Sequence, residues 1–90
     1  MRKYEFSDQL KKLLAKLYKK DKTRYEAVLK KVQEILECKD VEHYKNLRKP
    51  LQHLKRVHVI SSFILTFRYE KATDIVYFYD FDHHDTIYRQ

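Results

Sequence analysis

The most informative features of this sequence are the residues it lacks. Its 90 residues include no glycine, no tryptophan, one proline and one cysteine. Rossmann and P-loop sites hold phosphate groups with glycine-rich loops, so the absence of glycine excludes those nucleotide-binding enzymes. The single cysteine, Cys38, cannot form an intramolecular disulfide, which is typical of proteins in a reducing compartment.

Long hydrophobic runs and targeting signals are lacking as well. No apolar segment follows the basic residues of "MRKYEFSDQLKK", so we expect no signal peptide. Polar residues interrupt the most apolar stretch, residues 57–69, so we expect no transmembrane helix. We therefore expect a cytoplasmic protein in which residues 1–90 form one small domain.

The balance of charge is strongly positive. Twenty Lys and Arg residues outnumber thirteen Asp and Glu residues, which gives a formal net charge of +7. Such a surface suits a polyanion such as RNA or DNA, or an acidic protein. Charge alone does not distinguish these partners.

Two amphipathic segments in the first half predict helices. Ser7 is a suitable N-cap for a first helix, and Thr23 with Glu26 forms a capping box for a second. Both segments carry apolar residues at helical spacing, at Leu10, Leu13, Leu14 and Leu17 and then at Val28, Leu29, Val32, Ile35 and Leu36. We expect an antiparallel helical hairpin whose apolar stripes form the core.

The remaining segments are typical of strands. "RKYEF" predicts a short first strand, and "KRVHVI", "FILTFRYE" and "DIVYFYDF" predict three more after the irregular connection of residues 40–50. "TIYR" predicts a short final strand. The order β-α-α-β-β-β indicates an α+β domain with two helices on one face of an antiparallel sheet.

Residues 43–69 contain no acidic side chain. This one-sided stretch is typical of a phosphate-binding surface, although chance clustering in a basic chain is the alternative. In "KRVHVI" the valines alternate with Arg56 and His58, so we expect these two on the face opposite the helices. Arg68 projects from the same face of the next strand and comes near them if a tight turn at Ser61 and Ser62 pairs the two strands.

The ending "DFDHHDTIYRQ" has three interpretations. A shared metal ion is disfavoured, because adjacent residues of a strand point to opposite faces and would separate His83 from His84. The two histidines are otherwise surface residues at the end of a strand, or acid–base groups. RNA cleavage through the 2′-OH needs a base, an acid and cations. A histidine of this ending and a histidine on another strand, with Arg56, Arg68 and Tyr88, form such a set without a metal or other cofactor.

Three segments together resemble the RelE/YoeB/YafQ-type toxins of toxin–antitoxin systems, within the RelE/ParE superfamily. They are the two-helix start, "LRKPLQHLKRVHVISSFILTFRY" and "YDFDHHDTIYR", and they cover nearly the whole chain. The middle segment is most similar to the YafQ branch, in which a basic residue and a histidine precede an aliphatic strand. The ending is similar to the superfamily's "GHHxxVYR" finish, with Asp82 in place of the glycine. The resemblance implies a RelE-like fold.

The resemblance also implies an activity and partners. Toxins of this family cut mRNA in the ribosomal A site. Each is neutralised by a small antitoxin of the RelB/DinJ type, for which we expect an acidic segment. It implies catalytic roles for His58, His84 and Tyr88, and a basic residue at Arg56. We add Arg68 to this catalytic set and expect RNA contacts from the other basic side chains, namely Lys45, Arg48, Lys49, His53, Lys55, His83 and Arg89. The alternative is a ParE-like inhibitor of DNA gyrase, or a toxin that only binds its antitoxin.

Overall fold

The structure, a computed structural model, describes residues 1–88, with only the backbone of Tyr88. The elements in chain order are β1 (Lys3–Phe6), α1 (Asp8–Lys20), α2 (Lys22–Glu37), a 3₁₀ turn (Val41–His43), β2 (Lys55–Ile60), β3 (Phe63–Glu70), β4 (Ile75–His83) and α3 (His84–Tyr88). The predicted α+β class is confirmed. No helix within residues 1–88 combines the length and apolar character that a membrane crossing requires.

Side-chain caps begin the two long helices. The Ser7 hydroxyl accepts a hydrogen bond from the Leu10 backbone N–H at 3.1 Å, as predicted for α1. The second cap differs from the prediction, because Asp21 accepts from the Arg24 N–H at 3.2 Å and Thr23 already lies inside α2. Asp21 also ends α1 through its own N–H, so one residue serves both helices.

The four strands form one sheet in the order β1-β4-β3-β2. Strands β2, β3 and β4 are antiparallel, as predicted, whereas β1 pairs with β4 in parallel. The sheet is therefore mixed. The hairpin of α1 and α2 carries the chain from β1 at one edge of the sheet to β2 at the opposite edge. Only a turn at Ser61 and Ser62 separates β2 from β3, which confirms the tight turn.

The absence of glycine is visible at two turns. Ser61 and Asp74 have φ angles of 52° and 56°, in the left-handed region that glycine usually occupies. Asp74 is held there by side-chain contacts, since its Oδ1 accepts from Tyr69 Oη at 2.6 Å and from Arg2 Nε at 2.8 Å. The Arg2 guanidinium also donates to the Leu36 carbonyl in the last turn of α2 and to the Lys39 carbonyl just after it, so this contact joins the N-terminus, the β3–β4 turn and α2.

The sheet has an apolar cluster on each face. The main cluster packs α1 and α2 against β3 and β4, and its fully buried members include Leu10, Ile35, Leu65 and Phe67. A smaller cluster of Leu47, Leu54, Ile64 and Ile87 lies on the other face. The two clusters together bury both faces of β3 over residues 64–67.

The last element differs from the predicted strand "TIYR". Residues 84–88 form the short helix α3, which begins where the His84 N–H donates to the Ser62 carbonyl at 2.7 Å. The apolar side of α3 presents Ile87, which is 3% exposed, to Ile64 and the second cluster. Burying Ile87 on this face requires the chain to turn back over the sheet rather than extend it.

Candidate nucleic-acid interface and acid–base site

The connection between α2 and β2 is fixed along the outer edge of β2. The Arg56 N–H donates to the Lys45 carbonyl at 2.8 Å, and the Leu47 N–H donates to the Leu54 carbonyl at 2.8 Å. Leu47 and Leu54 then pack onto Ile64. The connection, irregular as predicted, is in this way folded over the face of the sheet that the long helices leave uncovered.

A cavity of about 580 Å³ lies between this connection, β2 and α3. Four basic side chains line it, and none of its lining residues within the described part of the chain is acidic. We call it the basic cavity; it is lined by Lys45, Asn46, Leu47, Arg48, Lys49, Leu51, Arg56 and Ile87. The fold therefore gathers four of the predicted phosphate-binding residues around one space.

Lys55 does not belong to that surface. It is 5% exposed, and its ammonium donates to Tyr44 O at 3.0 Å, Asn46 Oδ1 at 3.1 Å and Glu42 O at 3.4 Å. An ammonium has three donors, so this side chain has none left for a phosphate. The structure thus corrects the expectation of an RNA contact: Lys55 fastens the connection to β2 from the helix side. The alternation of Lys55 with Val57 and Val59 in the sequence already indicates the helix-side face.

Arg56 and His58 project from the face that carries the second cluster. Their neighbour Val57 packs against the main cluster on the other side. Arg56 pairs with Thr66 and His58 with Ile64 in the β2–β3 register. His58 is exposed and Arg56 half-buried, so both side chains are accessible beside the basic cavity.

Arg68 lies on the same face but further from the histidine. It lies four positions after Ile64, the partner of His58, which is roughly 13 Å along a strand. Its guanidinium stacks over the Tyr77 ring at 4.3 Å and reaches Glu70 Oε2 at 3.3 Å. It lines a second cavity of about 370 Å³ together with His53. The structure therefore groups Arg68 with His53 and not with His58.

His83 and His84 lie at the junction of β4 and α3. The His84 backbone is anchored to Ser62 in the β2–β3 turn, which places it on the far side of β3 from His58. The His83 ring packs edge-on against Phe63, with centroids 5.7 Å apart. Because the chain passes from strand to helix here, the two rings do not point to opposite faces. Their centroids are 4.9 Å apart, which overturns the geometric reason given against a shared ligand.

Asp85 lies next to both imidazoles. Its Oδ1 is 2.9 Å from His84 Nδ1, and its Oδ2 is 3.7 Å from His83 Nδ1. Its backbone N–H donates to His83 Nδ1 at 3.2 Å. Both histidines were predicted site residues, whereas Asp85 was not. The side chain of Tyr88 and the whole of Arg89 lie outside the described residues.

Two further carboxylates occur on β4 before the histidines. Asp80 and Asp82 flank Phe81 of the main cluster, and both line a cavity beside Leu13 and Leu17 of α1. Burial raises the pKa of the Asp80 carboxyl; the Phe81 backbone N–H opposes this change, and Asp82 adds to it. These acids were not predicted to matter, although the alternation in "YDFDH" places them on one face.

Two known proteins are similar to this chain in sequence. A protein of Methanocaldococcus jannaschii named as a candidate toxin, RelE4, is 47% identical over 90 residues, which cover 100% of this chain and 94% of that protein. An uncharacterized protein of Methanosarcina mazei is 47% identical over 73 residues, which cover 81% of this chain and 83% of that protein. No family model matches the chain.

The fold also occurs in solved toxin structures. A chain of the intact E. coli RelBE toxin–antitoxin complex matches with a TM-score of 0.72 at 20% identity, over 92% of this chain and 96% of that chain. YafQ from E. coli strain BL21(DE3) matches with a TM-score of 0.70 at 18% identity, over 98% of this chain and 99% of that chain. At these identities the matches establish a common fold.

Proposed function

Because this chain belongs to the RelE superfamily of toxins, we propose that it is the toxin of a toxin–antitoxin pair and a ribosome-dependent mRNA endoribonuclease. One observation carries the proposal. The exposed imidazole of His58 lies on the same sheet face as the basic cavity, whose wall includes Arg56, its near neighbour in β2. A proton-transfer group beside a concave, acid-free cationic surface is what cleavage of a phosphodiester requires.

The cleavage is a transesterification at phosphorus. One imidazole removes the proton of the ribose 2′-OH, and the 2′-oxygen attacks the adjacent phosphorus. The bond from phosphorus to the 5′-oxygen breaks, and the second imidazole donates a proton to that leaving oxygen. The products are a 2′,3′-cyclic phosphate and a 5′-hydroxyl. Arg56 stabilises the negative charge that develops on the phosphate oxygens.

His58 and His84 are the acid–base pair of this proposal. They lie on either side of β3, where the register aligns His58 with Ile64 and with Asp82, two residues before His84. In the proposed complex the two imidazoles flank one phosphodiester group. Tyr88, the last residue of α3, follows His84 by one helical turn and is the proposed contact for a base.

The basic cavity is the proposed site for the RNA backbone on either side of the cut. Lys45, Arg48 and Lys49 are exposed, so each can approach a phosphate without desolvating a buried charge. Binding of a single strand then releases counterions, and the logarithm of affinity falls by roughly 0.7 per phosphate contact for each tenfold rise in salt. An affinity that does not change with salt contradicts this assignment.

The proposed protein partner is a small antitoxin. The structural relative from E. coli belongs to a toxin–antitoxin complex. We expect the antitoxin of this chain, of the RelB/DinJ type, to place an acidic segment over the basic cavity, where opposite charges meet and the RNA is excluded.

The test is a cell-free translation assay with primer extension to locate new mRNA ends. We expect the wild-type chain to cut within the reading frame only when ribosomes are present. His58→Ala and His84→Ala should each reduce cutting by at least a hundredfold while circular dichroism shows an unchanged fold. The matched control is His43→Ala, which removes an exposed histidine from the 3₁₀ turn and should cut normally.

The outcomes separate the two candidate activities. Cutting that persists in the His58 and His84 variants overturns the acid–base assignment. Inhibition of DNA supercoiling without RNA cleavage overturns the nuclease itself and favours a gyrase-directed toxin.

A further inference from the structure

We propose that His83, His84 and Asp85 form a binding site for one divalent transition-metal ion such as Zn²⁺. Each residue offers one ligand atom, and these atoms lie within 4.8 Å of one another. Two imidazoles and one carboxylate are the donors that zinc, nickel and copper prefer. Metal binding by itself does not depend on the proposed nuclease activity.

The junction of strand and helix makes three consecutive residues convergent. A continuous strand would direct His83 and His84 to opposite faces, but α3 begins at His84 and rotates its side chain toward that of His83. The same turn brings the Asp85 carboxylate beside both rings, with one oxygen near each Nδ1. Donors that share a zinc ion lie roughly 3.3 Å apart, given bond lengths of about 2.0–2.2 Å. A small rotation of these side chains would bring the three ligand atoms to this spacing.

All three side chains are partly exposed. His83, His84 and Asp85 retain exposed fractions of 42%, 36% and 60%. Their backbones are held more firmly, because the His84 N–H bonds to Ser62 O and the His83 N–H bonds to Asp82 Oδ1 at 2.7 Å. The site therefore combines a fixed backbone with partly exposed ligand side chains.

The segment that carries the three ligands is acidic, although the chain as a whole is basic and Arg24 of α2 lies over the nearby Phe63 ring. The segment "DFDHHD" contains three carboxylates and no Lys or Arg. Asp80 and Asp82 lie on the two preceding alternate positions of β4 and add negative potential near the three ligands. The simpler alternative is that Asp85 only pairs with a protonated imidazole of His84, and metal titration distinguishes the two.

Metal binding has a consequence that rests on the proposed function. An imidazole nitrogen that coordinates Zn²⁺ cannot accept or donate a proton, so the ion removes His84 from the acid–base pair. Micromolar zinc should therefore inhibit mRNA cleavage reversibly, and a chelator should restore it. The site is in this respect inhibitory.

The first arm of the test is calorimetric titration of the tag-free chain with Zn²⁺, supported by the visible spectrum of Co²⁺. We expect one saturable ion per chain, and a loss of affinity of at least tenfold in both His83→Ala and Asp85→Asn. The matched control is Asp82→Asn, which removes an equal charge two residues from His84 and should change affinity less than threefold.

A competing donor pair requires its own control. Cys38 Sγ lies 3.8 Å from His43 Nδ1, so Cys38→Ser is titrated in parallel. No saturable binding, binding that is lost in Cys38→Ser but kept in His83→Ala, or equal effects of Asp82→Asn and Asp85→Asn would each overturn the site.

The second arm measures mRNA cleavage with and without Zn²⁺. For the wild-type chain, the rate with Zn²⁺ should be at least tenfold lower than the rate without it. For Asp85→Asn, the two rates should be nearly equal. If neither protein cuts RNA while the titration shows the site, the proposed nuclease fails and the metal site stands. If RNA is cut at a rate that saturating zinc leaves unchanged, the inhibitory role fails.

Discussion

Two lysines of the same basic stretch should have separable roles. Lys55 is buried and donates to three acceptors around the start of β2, whereas Lys49 is exposed at the basic cavity. Substitution of each by Met removes the charge and keeps the length of the side chain. We predict that Lys55→Met mainly lowers stability, and that Lys49→Met mainly lowers affinity for ribosome-bound mRNA.

The size of the stability loss follows from the contacts of Lys55. Its two shorter hydrogen bonds, at 3.0 and 3.1 Å, each contribute roughly 1.5–3 kcal/mol because the donor is charged. Relief of the buried ammonium's desolvation offsets part of this loss. A net cost of about 2 kcal/mol is expected, because Tyr44 O and Asn46 Oδ1 lose their donor.

Urea unfolding and thermal melting measure this difference. For a domain of this size, 2 kcal/mol lowers the melting temperature by roughly 8–16 °C. Lys49→Met should melt within about 2 °C of wild type, since surface substitutions usually change stability by less than 0.5 kcal/mol. The reasoning is refuted if Lys55→Met melts like wild type, or if folded Lys55→Met loses more mRNA affinity than Lys49→Met does.

Other substitutions test the remaining features. Asp80→Asn should raise the free energy of unfolding at pH 7, because it removes the desolvation cost of a half-buried carboxylate; since the folded-state pKa is raised, the gain should shrink as pH falls and vanish below about pH 3.9, the ordinary pKa of an unfolded Asp, which pH-dependent urea titrations measure. Arg56→Ala should slow mRNA cleavage at least tenfold and Arg68→Ala less than threefold, because Arg68 is engaged by Tyr77 and Glu70; equal losses in primer extension would contradict the grouping. Ile64→Ala should cost about 2–5 kcal/mol in urea unfolding, because the side chain is fully buried under the second cluster, and a smaller loss would mean that α3 is not packed there.

Features with a short-range cause were predictable from the sequence. The helical spacing of Leu10 and Leu14 places both in the main cluster, as expected. Alternation in "KRVHVI" placed Arg56 and His58 on the face opposite the helices, because side-chain direction in a strand repeats every two residues. The same rule places Lys55 on the helix face. That residue was misassigned because its charge was considered and its position in the strand was not.

Other features depended on contacts between residues distant in sequence. The helix α3 replaces the predicted strand because the His84 N–H finds its acceptor at Ser62, and because Ile87 can be buried against Ile64. Neither partner is visible in the local pattern of "TIYR". Asp21 replaced Thr23 as a cap for a similar reason, since one residue could end α1 and begin α2.

The sequence by itself determined the α+β class, the basic character of residues 43–69 and the face on which His58 lies, because composition and strand alternation are properties of the local chain. Only the tertiary structure decided which cations share a cavity, that Arg68 stands apart with Tyr77, and that His83, His84 and Asp85 converge. These groupings depend on strand register and on the strand-to-helix junction, which are set by packing across the sheet.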